Sequence, residues 1–234
     1  VMVSGVVAAT PARLVGAGEP IVVTGAPPRF VGRGGEKLDA ALDRFEIDVA
    51  GAHALDAGAS TGGFTDCLLQ RGAATVVAVD VGYGQLADRL RRDARVVVME
   101  RTNVRSLTLD EAVDVVVADL AFISLRTVAR ALVGPNARPG AEVVLLVKPQ
   151  FEAGREEATR GRGVIRDPTV WRRVLGEVRS TLTAEGAAMM GAMVSPLRGA
   201  DGNVEFLAHA RAHVDGPILT DQDLDAVVAS AERR

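Results

Sequence analysis

The chain has 234 residues, 48% hydrophobic and 24% charged, with a formal net charge of −3. This is the composition of a water-soluble globular protein, long enough for one full α/β domain plus a small appendage. The single cysteine, Cys67, excludes a disulfide framework and a cysteine-based zinc site, so no metal is expected; no apolar run approaches the ~18 residues that would span a bilayer. No basic stretch leads into an apolar segment at the N-terminus, and a cytoplasmic protein with no membrane partner is the expectation. Against 30 acidic residues there are 27 basic ones, a balance unusual for an electrostatic nucleic-acid binder. Of those 27 only Lys37 and Lys148 are lysines. Arginine stays charged at any cellular pH, whereas a buried lysine can serve as a base, so the places of these two deserve weight.

In chain order, Val1-Met2-Val3, a turn at Ser4-Gly5, Val6-Val7 and a short strand over 21–24 predict a small β-rich piece. It is too short to bury a core alone and begins inside a strand, which reads as a truncated domain or a mis-assigned start. Gly25-Ala26-Pro27-Pro28 follows as a stiff linker. Leu38, Ala41, Leu42 and Phe45 recur at helical spacing and predict a helix over 36–45. Strands are then expected at 52–56, 75–80, 96–100, 113–119 and 142–147, with helices at 63–71, 85–92, 125–133 and 170–184. Two further strands, 188–194 and 204–211, precede a last helix over 221–231. Valine-rich strands separated by helices imply a Rossmann-like parallel sheet of seven strands covered on both faces. A Pro/Gly loop without a helix joins the last two strands, so one of them should run antiparallel.

Leu55-Asp56-Ala57-Gly58-Ala59-Ser60-Thr61-Gly62-Gly63-Phe64 joins the first sheet strand to a helix. Glycines there let backbone N–H groups approach a ligand, and the helix N-terminus adds positive potential. Asp80 closes the next strand, the place of an acid that grips a ribose diol. The spacing is not Gly-x-Gly-x-x-Gly, which disfavours a dinucleotide; Asp-x-Gly-x-x-x-Gly with an acid closing the next strand is the S-adenosylmethionine arrangement. Gly58-Ala59-Ser60-Thr61-Gly62 also matches a hydrolase nucleophile elbow. That alternative is disfavoured because such an elbow normally follows a mid-sheet strand whereas this turn follows the first, and the downstream histidines, His209 and His213, lie in or after an apparent terminal strand.

Ligands of parallel sheets sit at the carboxyl ends of the strands. Asp80, Asp119 (in Val-Val-Val-Ala-Asp-Leu) and Lys148 (in Val-Val-Leu-Leu-Val-Lys-Pro) occupy such ends. Taken singly each could be a solvated charge; together they face one crevice. Lys37 lies in the first turn of the preceding helix, and Glu205 follows the loop 195–203.

Lys37, Asp119, Lys148 and Glu205 in this order resemble the tetrad of FtsJ-type ribose 2′-O-methyltransferases. More closely, the chain resembles the TlyA family of ribosomal-RNA methyltransferases, also named haemolysins. The resemblance runs through Val31-Gly32-Arg33-Gly34-Gly35-Glu36-Lys37-Leu38, residues 56–65, Asp80-Val81-Gly82-Tyr83-Gly84-Gln85-Leu86 and Glu100-Arg101-Thr102-Asn103. It continues through Asp119-Leu120-Ala121-Phe122-Ile123-Ser124, Lys148-Pro149-Gln150-Phe151-Glu152, Gly163-Val164-Ile165-Arg166-Asp167 and Gly202-Asn203-Val204-Glu205. Phe30 departs from it, standing where an interdomain tryptophan is expected.

The resemblance implies methylation of a ribose 2′-hydroxyl in ribosomal RNA, at cytidines of the 16S and 23S RNAs, with S-adenosylmethionine as cofactor and ribosomal subunits as partners. It implies Lys148 as the base, Asp119 orienting its amine, and Lys37 and Glu205 positioning the ribose. Ser60, Gly62 and Phe64 are then expected at the methionine end of the cofactor, Asp80 at its ribose and Asn103 at the adenine edge. Asp56, Gly58, Thr61, Gly63, Val81 and Phe122 complete the cofactor set. Arg33, Arg160, Arg162 and Arg166 are candidates for RNA phosphate contact. Residues 1–26 resemble the C-terminal half of an S4-like RNA-binding domain, 27–33 a linker, and 34–234 the methyltransferase domain. Absence of the S4-like domain's two basic helices would account for the acidic balance. Two alternatives stand beside this: a membrane-lytic haemolysin, and an RNA-binding module whose methyltransferase domain is inactive.

Overall fold

The computed structural model describes every residue except 11, 26–27, 200, 215–218 and 234; the side chains of 155, 158 and 160 are also outside the description. Ala26 and Pro27 of the expected linker therefore fall outside it. In chain order the elements are β1 (Met2–Val3), β2 (Val6–Val7), β3 (Ile21–Val22), α1 (Gly34–Arg44), β4 (His53–Ala57), α2 (Gly63–Gln70), β5 (Thr75–Val79), α3 (Asp88–Arg91) and β6 (Val96–Met99). A 3₁₀ turn (Val104–Ser106) leads to β7 (Val113–Ala118), α4 (Leu125–Val133), β8 (Ala137–Val147), α5 (Pro149–Glu152), α6 (Arg155–Arg160), α7 (Pro168–Ala184), β9 (Ala187–Val194), β10 (Phe206–Ala212) and α8 (Asp221–Glu232).

The first three strands form an antiparallel sheet in the order β2-β1-β3. Ser4 and Gly5, both at positive φ, close its hairpin, as a two-residue connection between right-twisted strands requires. The main sheet has seven strands in the order β6-β5-β4-β7-β8-β10-β9. All are parallel except β10, which runs antiparallel between β8 and β9, so the expected single reversed strand is the last one. The chain winds outward from β4 through β5 to β6, then returns to place β7 on the other side of β4. That reversal opens a crevice between the carboxyl ends of β4 and β7, where ligands of open α/β sheets bind.

Two hydrophobic layers cover the sheet. Leu55, Val116, Ala118, Val143, Leu145, Val147, Phe206 and Ala208 pack with α4, α7 and α8 on one face. Ala54, Val76, Ala78, Val115, Val117, Val144, Leu146 and Leu207 pack with α1 and α2 on the other, where Phe30 is also buried. Successive strand residues alternate between faces, and this parity decides where the polar strand-end residues go. Asp56 follows Ala54, Asp80 follows Ala78, Asp119 follows Val117, Lys148 follows Leu146, and Glu205 precedes Leu207. All five belong to the α1/α2 face.

Some boundaries differ from expectation. The helix expected over 85–92 is the single turn α3, because Gly84 at positive φ bends the chain and Leu86 is turned onto Gly62 before the helix starts. The strand expected from Glu142 begins at Ala137, and the one expected from Val204 begins at Phe206, leaving Glu205 at its entrance. The helices α5 and α6 fill a stretch in which no helix was expected; each is too short to show a helical period.

Candidate active site

Three of these five residues, Asp119, Lys148 and Glu205, form two lysine–carboxylate pairs together with Lys37 of α1. Phe206 pairs with Val147 in the antiparallel register, so Glu205 and Lys148 stand at adjacent ends of β10 and β8. Lys37 comes from α1, one turn after Gly34, and its Nζ donates to Glu205 Oε2 at 2.5 Å. Lys148 Nζ lies 2.5 Å from Asp119 Oδ1 across the ends of β8 and β7. Burial separates the pairs. The Lys37 and Glu205 side chains are 7% and 3% exposed; those of Lys148 and Asp119 are 13% and 24% exposed and line a cavity. The inner pair is a buried ion pair, costly to desolvate and destabilising to break one-sidedly. The outer pair faces the groove and is the one a substrate can reach.

The cavity at Lys148 holds about 230 Å³ and is lined by Gly32, Arg33, Gly34, Gly58, Ser60, Thr61, Gly63 and Phe64. It adjoins a second cavity of about 420 Å³ with which it shares Gly58, Ser60, Asp119 and Ala121. The second is lined by Asp80, Val81, Gln85, Asn103, Val104, Leu120, Phe122 and Ile123. The result is an elongated groove across the crevice, polar and glycine-walled at the lysine end, apolar beyond Asp80.

Gly58 sits at the narrow point. Its φ is +88°, and a Cβ there would lie 2.5 Å from the Asp119 carbonyl oxygen, so only glycine lets the β4 turn and the β7 end come this close. Ser60, also at positive φ, is held by its N–H donating to Asp80 Oδ2 at 2.8 Å. Asp80 Oδ1 accepts from Gly82 N–H at 2.7 Å. Asp80 thus fixes the turns after β4 and β5 while lining the larger cavity. Asn103 lines it too, with Oδ1 accepting from Arg105 N–H to cap the 3₁₀ turn.

Two residues expected among the cofactor contacts are placed otherwise. Asp56 is fully buried inside β4, beneath the turn, and lines neither cavity. Its Oδ2 accepts from the Thr65 N–H at 2.9 Å and from the Thr65 hydroxyl at 2.6 Å, which ties β4 to the first turn of α2. Oδ1 has no hydrogen-bond partner. Burial is the largest cause pushing its carboxyl up to about 7; the Asp119 and Asp80 charges push the same way, and the Thr65 hydrogen bonds oppose them. Gly62 lines neither cavity either; at φ +96°, a Cβ there would lie 2.3 Å from Leu90 Cδ1. Parity and packing, rather than motif spacing, decide both.

At the mouth, Phe122 has φ +62° and its ring is 92% exposed. The Phe151 ring lies 5.2 Å from it, and Lys148 Nζ lies 5.9 Å from the Phe151 centroid. Nothing in the sequence patterning singled out Phe151. Asn203, 1% exposed, holds the loop 161–167: its Nδ2 donates to Gly163 O at 2.8 Å and its Oδ1 accepts from Ile165 N–H at 3.0 Å. That loop carries Arg162 and Arg166. Arg33 lines the smaller cavity, while Arg160 ends α6 with its side chain outside the described residues. Among the described residues Arg33, Arg162 and Arg166 have no carboxylate at ion-pair distance, whereas Arg71, Arg95, Arg172, Arg173 and Arg179 are all paired.

The FtsJ-like methyltransferase family model matches residues 30–212. The 16S/23S rRNA (cytidine-2′-O)-methyltransferase TlyA of Mycobacterium tuberculosis is 51% identical over 209 residues, covering 88% of this chain and 77% of the relative. The chain belongs to the TlyA family of FtsJ-like methyltransferases. The TlyA-family assignment extends to solved structures. One from Streptococcus thermophilus, named as a hemolysin, is 40% identical with a TM-score of 0.84, covering 92% of this chain and 79% of its own. An S-adenosylmethionine-dependent methyltransferase from Mesorhizobium loti shares the fold at 20% identity and a TM-score of 0.54, over 74% of this chain and 96% of its own. Among the described residues no helix is long and apolar enough to cross a membrane, and no cluster of His, Cys, Asp and Glu could hold a metal ion.

Proposed function

We propose that this TlyA-family chain transfers the methyl group of S-adenosylmethionine to a ribose 2′-hydroxyl in ribosomal RNA, at cytidines of the 16S and 23S RNAs. The observation that carries the reading is the Lys148–Asp119 pair at 2.5 Å, lining the polar end of the groove, with the Lys37–Glu205 pair behind it. The groove suits the cofactor: an apolar slot beside Asp80 for a nucleoside, and a close approach at Gly58 that no side chain blocks. Asp80 and Asn103 would hold the nucleoside, and Ser60, Thr61, Gly63 and Phe64 the amino-acid end.

Bound there, S-adenosylmethionine supplies an electrophilic methyl group. A ribose hydroxyl is a poor nucleophile, so a base must take its proton as the oxygen attacks. Lys148 Nζ is placed to accept that proton, with the Asp119 carboxylate placed to steady the ammonium. Lys37 and Glu205 fix the ribose side of the site. Positioning of the pair at the strand ends contributes beside proton transfer. The exposed Phe122 ring offers a face on which a base can stack, and the carboxylate-free Arg33, Arg162 and Arg166 offer phosphate contacts. We further propose that residues 1–26 are part of an S4-like RNA-binding domain joined by 27–33 to the methyltransferase domain at 34–234, and that the protein acts on ribosomal subunits in the cytoplasm.

The membrane-lytic alternative has only relatives' names behind it, and both ion pairs argue against an inactive domain. Calorimetric titration with S-adenosylmethionine, beside transfer of a labelled methyl group to ribosomal subunits, tests the proposal. Saturable binding, weakened about tenfold or more (~1.4 kcal/mol) by Asp80→Ala, and RNA labelling abolished by Lys148→Ala are expected. A folded protein that neither binds the cofactor nor labels RNA would overturn it.

A further inference from the structure

The loop after β7 and the short helix after β8 carry the reactive pair, and they meet at three successive places. Asp119 meets Lys148 at 2.5 Å. Phe122 meets Phe151 at a ring separation of 5.2 Å. Glu152 then accepts from the Leu125 backbone N–H at 2.7 Å and from the Ser124 hydroxyl.

The first two contacts are poorly suited to hold the loop. In the proposed mechanism Lys148 takes the substrate proton and Asp119 steadies it, so this contact must answer to the substrate. The Phe122 ring is 92% exposed, and its backbone at φ +62° is a conformation that persists only where the surroundings over-determine it. The third contact is of another kind. Glu152 is 2% exposed, and its carboxylate sits at the N-terminus of α4, where free N–H groups and the helix dipole favour an anion. Arg126 closes the junction from outside: it donates to the Glu152 backbone carbonyl at 2.7 Å, lies 3.4 Å from Glu152 Oε2, and reaches Glu177 on α7 at 2.7 Å.

We propose that Glu152 is a positioning residue for methyl transfer: it registers the loop 119–124 against the segment 148–152, and so places Asp119 on the Lys148 amine and the Phe122 ring at the mouth. Glu152 lines neither cavity of the groove and acts through those residues. The inference rests on the function proposed above.

Its test compares Glu152→Ala and Glu152→Gln with the unaltered protein in three measurements. These are single-turnover methyl transfer to ribosomal subunits at saturating S-adenosylmethionine, cofactor titration, and amide hydrogen exchange of the free protein. Glu152→Ala should lower the saturated rate by roughly 30-fold, since misplacement by about an ångström can cost a hundredfold. Cofactor affinity should fall less than the rate, within about fivefold, because the loop 119–124 forms one wall of the cavity at Asp80 while Asp80, Gln85 and Asn103 on the other are untouched, and exchange should quicken within about 119–126 alone. Glu152→Gln keeps an acceptor for Leu125 N–H, and the Ser124 hydroxyl can turn to accept, so the rate should return to within about fivefold of the unaltered protein. Wild-type transfer by the alanine variant would overturn the proposal. So would parallel loss of rate and cofactor affinity with faster exchange throughout, or a glutamine variant as slow as the alanine one. If the unaltered protein transfers no methyl group, the functional reading has failed, and the exchange pattern still decides whether Glu152 holds the loop.

Discussion

The two ends of the groove use the same residue types on the same face of the same sheet in different ways. At the β7/β8/β10 end, Asp119 and Glu205 each face a lysine amine at 2.5 Å. At the β4/β5 end, Asp56 and Asp80 make no ion pair among the described residues; their partners are the backbone N–H groups of Thr65, Ser60 and Gly82 and the Thr65 hydroxyl. Carboxylates that face amines hold mobile protons in place, whereas carboxylates that face backbone shape a turn. A strand-end acid is therefore assigned to chemistry or to architecture by its partner, and burial alone does not distinguish the two.

Substitutions at the lysine end should give the largest effects on rate. Lys148→Ala removes the proposed base and should slow single-turnover transfer by roughly 10²–10⁴-fold while cofactor titration changes little. A variant that transfers within tenfold of wild type would remove the distinction between the two ends. Asp80→Ala should do the reverse. Loss of the acceptor for Ser60 and Gly82 N–H loosens the turn, so cofactor affinity should fall by at least about tenfold, read by calorimetry.

Asp56 sharpens the comparison through pH. Its carboxyl is raised to about 7 in the folded protein, chiefly by burial, against ~3.9 for an exposed aspartate in the unfolded chain. Folding accepts the neutral form, so its contribution is fully present below about pH 4 and is lost as pH rises through about 7. Asp56→Asn carries no such charge. Urea unfolding should show the variant gaining on wild type between pH 4 and 7, by on the order of a few kcal/mol, with a constant difference above that. Parallel pH profiles for the two would show that Asp56 is ionised in the fold. The smallest effect belongs to the rim. Arg33→Ala should weaken RNA binding only a few-fold and reduce its salt dependence by about one ion. An unchanged salt slope would place that cation off the RNA path.

Much of this site was legible before the fold was known. Asp119 and Lys148 close long valine- and leucine-rich runs, so strand ends and the direction of their side chains follow from counting. The scarcity of lysine made Lys37 conspicuous. At Asp56 the motif spacing marks the turn without saying which of its residues reach the groove; Asp56 lies one position inside the end of β4, buried and tied to Thr65. At Gly62 the spacing does not separate two needs, since a glycine required for packing against Leu90 reads the same as one required by a ligand. Phe151, Glu152 and Asn203 stand in stretches that carry the family resemblance, but spacing and periodicity assigned them no role. Their roles come from contacts made across long stretches of chain, Glu152 to Ser124 and Asn203 to Gly163, and neither periodicity nor propensity records such meetings. The two short helices α5 and α6 were missed for a related reason: four to six residues cannot display a 3.6-residue period.

The central claim is that the lysine end directs methyl transfer to a ribose oxygen. It is tested most directly by incubating the protein with isotope-labelled S-adenosylmethionine and ribosomal subunits, digesting the RNA to nucleosides and locating the label by mass spectrometry. The account predicts a 2′-O-methylated nucleoside with the unaltered protein and none with Lys148→Ala. Label on a nucleobase, or a 2′-O-methyl product formed at an undiminished rate by the Lys148 variant, would contradict it.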